Sequence, residues 1–98
     1  MTASLPRPKA PAGHFYDPVL RVFVSFNCLE ILKKCPIDAF FTSHSTGLHG
    51  SSLKALAVKG FLNIDPTKDG LGYEYYLNNH GHRLRIHATV YILEGQKD

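Results

Sequence analysis

The chain has 98 residues, 44% of them apolar and 19% charged, and carries a net charge of +3 with histidines neutral. That length holds one modest core and excludes two, and the composition is that of a folded chain. No apolar run approaches the ~20 residues of a membrane span, and the start is rich in proline, so a soluble, cytoplasmic protein without a secretory signal is expected. The positive balance permits anionic partners without requiring them.

Residues 1–13 contain Pro6, Pro8 and Pro11 among Ala, Ser, Arg7 and Lys9. Prolines remove backbone donors and favour extended chain, which predicts a loose basic arm ahead of a domain spanning 14–98. Asp17-Pro18 places an acid with N-cap chemistry before the residue favoured at a first helical position. From Val19 to Lys34, the spacing of Leu20, Phe23 or Val24, Cys28, Ile31 and Cys35 marks a helical core face. Lys33 and Lys34 complement the negative end of its dipole, and Pro36 stops it. Val22, Val24 and Phe26 also alternate, which suits a strand over the same stretch. Cys28 and Cys35 would lie roughly 10 Å apart on one helix. A disulfide needs about 7 Å, so two reduced core thiols are expected.

Asp38 can cap a second short helix through Ala39, Phe40 and Phe41 that ends near Ser43 to Thr46. Thr46-Gly47-Leu48-His49-Gly50 reads as a turn. A third helix then starts at Ser51 or Ser52, whose hydroxyls can cap it, and sets Leu53, Leu56, Ala57 and Gly60 on one face. Gly60 stands where helices end in the left-handed conformation. Phe61 to Asp65, closed by Pro66, is a short strand. Turn residues follow, and then the aromatic strand Tyr73–Leu77. The two strands form a hairpin with Lys68 at its tip. Asn78-Asn79 either caps a helix from His80 to about Leu93 or turns into a strand. Leu84, Ile86, Ala88, Val90 and Ile92 alternate, so periodicity leans towards the strand.

From Ser51 onward the chain resembles winged helix-turn-helix regulators of the MarR-like type. Their pattern of Leu-x-x-Leu-x-x-x-Gly-Phe/Leu-Leu/Ile, a variable wing, then Tyr-x-Leu-Thr-x-x-Gly-x-x-Leu is met by Leu53, Leu56, Gly60, Phe61 and Leu62, then Tyr75, Leu77, Gly81 and Leu84. Asn78 stands where that pattern has threonine, and both residues can cap a helix. The match covers about a third of the chain. The resemblance implies an α+β winged helix-turn-helix: a three-helix core, a two-stranded wing and a C-terminal helix. It thereby moves residues 80–93 from strand to helix. It also implies double-stranded DNA binding by a homodimeric transcriptional regulator, with the helix from Ser51 in the major groove.

On that reading His49, Ser51, Ser52 and Lys54 face the groove, while Lys68, Arg83 and Arg85 contact phosphates. This set holds no Asn or Gln, and no Arg on the reading helix, for bidentate base reading. Six histidines (14, 44, 49, 80, 82 and 87) raise the question of a metal, but no Cys-x-x-Cys or His-Glu-x-x-His pair is present. Scattered surface histidines are the expectation, with no metal, cofactor or catalytic role. The aromatic clusters Phe40-Phe41 and Tyr73-Tyr75-Tyr76 exceed what one small core needs. They support the alternative of a protein-interaction module, a small inhibitor or adaptor that does not bind DNA.

Overall fold

A computed structural model describes residues 9–95. Residues 1–8, most of the proline-rich arm, lie outside the described residues, as do 96–98. The chain is mixed α+β, with four helices and two antiparallel hairpins among the described residues.

Asp17-Pro18 turns the chain back. Asp17 Oδ2 accepts the Leu20 N–H at 3.0 Å and the Asp17 carbonyl accepts the Arg21 N–H at 2.8 Å, which together make one helical turn. Arg21 then takes a φ of 57° and ends that turn. The cap chemistry at Asp17 is therefore real, but the helix expected from Val19 is not formed until Phe26. Instead β1 (His14–Asp17) and β2 (Val22–Ser25) pair with Tyr16 opposite Phe23 and Asp17 opposite Val22. Val22, Phe23 and Val24 are β-branched or aromatic and favour the strand, and packing realises that preference.

Ser25 caps α1 (Phe26–Lys34), its hydroxyl accepting the Cys28 N–H at 3.1 Å. Lys33 and Lys34 occupy the last turn, and the extended Cys35 leads into Pro36. Both cysteines are free, Cys35 buried and Cys28 half-buried. Asp38 caps nothing. It sits at a φ of 58°, and Phe41 instead forms a β-bridge. The second helix, α2 (Ser43–Thr46), is one turn long and starts at a capping box of Thr42 with Ser45.

α3 (Gly50–Val58) begins one residue before the expected cap, so Ser51 and Ser52 lie inside the helix and His49 holds the N-cap without a side-chain bond. Its end is a Schellman motif. The Gly60 N–H reaches the Ala57 carbonyl at 3.0 Å and the Phe61 N–H reaches Leu56 at 2.9 Å, with Gly60 at a φ of 98°. Phe61 and Leu56 are both fully buried, completing the apolar contact of that motif.

β3 (Leu62–Pro66) and β4 (Tyr73–Leu77) pair with Leu62 opposite Leu77 and Pro66 opposite Tyr73. Phe41 bridges to Tyr75 on the other edge of β4, with mutual bonds of 2.9 and 2.7 Å. α4 (Asn79–Gly95) is a helix, against the lean of its periodicity. Leu84, Ala88 and Ile92 face inward while Ile86 and Val90 face out. The apparent alternation is two stripes of helical spacing interleaved. α4 packs on α1, with further contacts to β1 and β4, and α3 rests on β3 and α1. The core runs through Leu29, Leu32, Leu53, Leu56, Phe61, Leu77, Leu84 and Ala88.

Candidate nucleic-acid interface

Two short helices and a hairpin build this surface. The exposed first half of α3 presents His49, Ser51 and Lys54, with Ser52 half-buried among them. Leu53 and Leu56 are fully buried on the opposite side and fix which residues point out. Lys54 Nζ lies over the Tyr73 ring, 5.5 Å from its centre, which ties α3 to β4. Beside the helix start is an open hollow of about 400 Å³, lined by Ser43, His44, Leu48 and His49.

Lys68 stands exposed in the β3–β4 loop, as the sequence predicts. The loop is held by the Thr67 N–H to the Gly72 carbonyl at 2.9 Å and by Gly70 to Thr67 at 3.0 Å. Asp69 closes it, accepting the Thr67 hydroxyl at 2.5 Å and the Leu71 N–H at 3.0 Å. Those two bonds hold its carboxyl below the usual carboxylate range. Asp65, Asp69 and Glu74 outnumber Lys68 on this hairpin, so its loop is not a strongly basic prong.

Arg83 is engaged elsewhere, and Arg85 is half-buried. Arg83 forms a two-pronged pair with Asp17, at 2.7 and 3.1 Å, that joins α4 to the first hairpin. Burial raises the Asp17 pKa, but the Arg83 hydrogen bond, the Leu20 N–H and the Arg83 charge outweigh it and hold the carboxyl low. Arg85 is half-buried, its Nε enclosed without a hydrogen-bond partner among the described residues. Burial pushes the nearby Cys35 thiol up to about 11 despite the Arg85 charge, and its Sγ lies 3.3 Å from the Ile31 carbonyl. Of the seven candidates, then, His49, Ser51, Ser52 and Lys54 share one helix face and Lys68 lies on the neighbouring hairpin. Arg83 ties α4 to the first hairpin through Asp17, and Arg85 is half-buried near Cys35.

Among the described residues no three His, Cys, Asp or Glu side chains converge on a metal position, and no helix is long and apolar enough to cross a membrane. The aromatic clusters divide. Phe41 and Tyr75 are buried against each other, while Phe40 is 61% exposed on the Tyr76 ring and Tyr73 is 47% exposed. Sequence reasoning missed the double role of Asn78, whose Oδ1 accepts the Gly81 N–H at 3.0 Å while Nδ2 donates to the Gly60 carbonyl at 2.9 Å. Its cap position was legible; its second partner, 18 residues upstream, carries no local signal. The chain matches no known protein family, no curated protein and no solved structure.

Proposed function

We propose that residues 26–95 form a winged helix that binds double-stranded DNA, and that the chain acts as a homodimeric transcriptional regulator in the cytoplasm. The element order supports the fold: α1, the Phe41 bridge, α2, α3, then the β3–β4 hairpin, with the bridge adding a third strand position beside β4. One observation carries the DNA reading. Lys54, on the exposed first half of α3, lies over Tyr73 of the hairpin, so a helix with free hydroxyl, imidazole and ammonium groups shares a face with the wing. Such groups position a protein on phosphates and reach base edges in a major groove.

The footprint is small, and its size sets the test. Two cations per protomer, Lys54 and Lys68, give a slope of log affinity against log salt of about −1.8, doubling to about −3.6 for a dimer. Titration of random duplex DNA at several salt concentrations should yield a slope in that range. Lys54→Glu combined with Lys68→Glu should abolish binding. Absence of binding at low salt sinks the reading. A second reading, a protein-binding winged helix, draws on the acidic balance of the hairpin and on Leu71 and Val58, which stand 89% and 81% exposed. It is favoured if duplex DNA is ignored at every salt concentration.

A further inference from the structure

The second hairpin has an outer face that the DNA reading leaves unused. Leu62, Tyr75 and Leu77 turn into the core and Ile64 packs against it, so the residues between them in the pleat point away. On that outer face Asn63 stands opposite Tyr76, and Asp65 stands opposite Glu74. Two carboxylates directly across an antiparallel pair repel each other, so their placement works against the fold rather than for it. Neither forms an ion pair among the described residues. Asp38 adds a third carboxylate without a cation partner, its Oδ1 lying 3.5 Å from the Tyr76 hydroxyl. Exposed apolar surface adjoins these acids. The Phe40 ring packs on Tyr76 at 5.0 Å yet is mostly open to solvent, and Ile37 is 46% exposed. A hollow of about 360 Å³ opens here, with Ile37, Asp38, Asn63 and Tyr76 in its wall.

We propose that this face docks an extended basic segment of another protein, with one apolar side chain seated against Phe40 and Ile37 and cations to either side of it. Charge chooses the occupant. Three carboxylates without cation partners, on a chain whose net charge is +3, form a local field that favours Lys or Arg and rejects anions. A bound cation also relieves the repulsion between Asp65 and Glu74. Geometry sets the spacing. Glu74 is two residues from Tyr76 on the same face of β4, about 7 Å along the strand. An extended peptide covers that distance in two residues, so an anchor at Tyr76 sets the cation two positions on over Asp65 and Glu74. Asp38, at the Tyr76 hydroxyl, is left for a cation next to the anchor. Lys54 and Lys68 are not part of this face, so the inference stands or falls independently of DNA contact. It shares with the protein-binding reading only the acidity of the hairpin.

The probe is a peptide of that pattern, Ala-Arg-Leu-Ala-Arg-Ala capped at both ends, titrated into the whole chain and followed by amide chemical shifts. Shifts are expected within residues 37–40, 63–65 and 74–76, with affinity falling as salt rises. Asp65→Asn combined with Glu74→Gln should weaken binding about tenfold, and Phe40→Ala by about as much. The first variant should melt no earlier than the wild type, because it removes a repulsion and no packing. Glutamate in place of both peptide arginines should abolish binding. No shifts at low salt, or shifts confined to other surfaces, overturn the proposal, and so does binding that ignores both variants. Spermine binding as tightly as the peptide, with Phe40→Ala making no difference, also overturns it, since the face would then attract cations without docking a segment.

Discussion

A methyl group placed on Gly81 would overlap the carbonyl oxygen of Phe61 and crowd the Leu77 side chain. Backbone cannot step aside as a flexible side chain can, so Gly81→Ala should cost at least about 2 kcal/mol. Urea unfolding checks this: the midpoint should fall while the slope stays that of the wild type. The glycine of the Tyr-x-Leu pattern thus has a steric reason, the close docking of α4 on the end of α3. Asp17 and Arg83 make the other single-residue case. Asp17 is fully buried, but 32% of the Arg83 side chain reaches solvent. Breaking the pair should therefore cost about 2 kcal/mol, below the ~3–5 kcal/mol of fully buried pairs. Because the folded pKa of Asp17 lies below its unfolded value, this stabilisation is present above about pH 4 and is lost as pH falls through the folded pKa. The stability gap between wild type and Asp17→Asn should accordingly be wide at about pH 6 and shrink progressively as pH is lowered below about 4 in thermal melts. A gap constant with pH would mean that the ion pair contributes nothing.

At the level of elements, the junctions decide more than the periods do. Asn78 caps α4 and at the same time holds the carbonyl of Gly60, at the exit of α3. Threonine would keep the cap and lose the second bond; alanine would lose both. Asn78→Thr should destabilise by about 1 kcal/mol and Asn78→Ala by about 2 kcal/mol, and chemical unfolding of the two variants checks the order. Equal losses would mean that the amide bond to Gly60 adds no stability. Element boundaries were legible where a local device fixes them: the Gly60 stop, Tyr73–Leu77, and Pro36 after α1. They were not legible where one local device serves two outcomes. Asp17 makes the hydrogen bond of a helix start, yet a left-handed Arg21 four residues on turns the chain into a hairpin. Ser25, eight residues after Asp17, supplies the cap that α1 uses.

Over the whole molecule, the order of the first three helices and the second hairpin could be read from the chain, because those segments carry their own punctuation, whereas the periodicity of α4 points to a strand and only the resemblance implies a helix. The first hairpin was legible only as the strand alternative over Val22 to Phe26, and its tie to α4 through Asp17 and Arg83, 66 residues apart, carries no local signal. The candidate site divides along the same line. His49, Ser51, Ser52 and Lys54 follow from helical spacing, and Lys68 follows from a turn. Arg83 and Arg85 were counted as phosphate ligands on charge alone, and charge does not reveal that one faces a buried carboxylate and the other is wedged beside Cys35. On the proposed DNA reading, the salt footprint at this scale is set by Lys54 and Lys68 alone.

The two interleaved stripes of α4 have a cost beyond the folded state. Leu84, Ile86, Ala88, Val90 and Ile92 line up on alternate positions, so in extended form they would make one continuous apolar sheet face. Only docking on α1 and capping by Asn78 commit this segment to a helix. A chain in which α4 has come loose exposes nine residues, from 84 to 92, that contain no proline and carry Arg85 as their only full charge. Such a segment is suited to cross-strand stacking between chains. Aggregation should therefore track the detachment of α4 and set in before the rest of the core has unfolded.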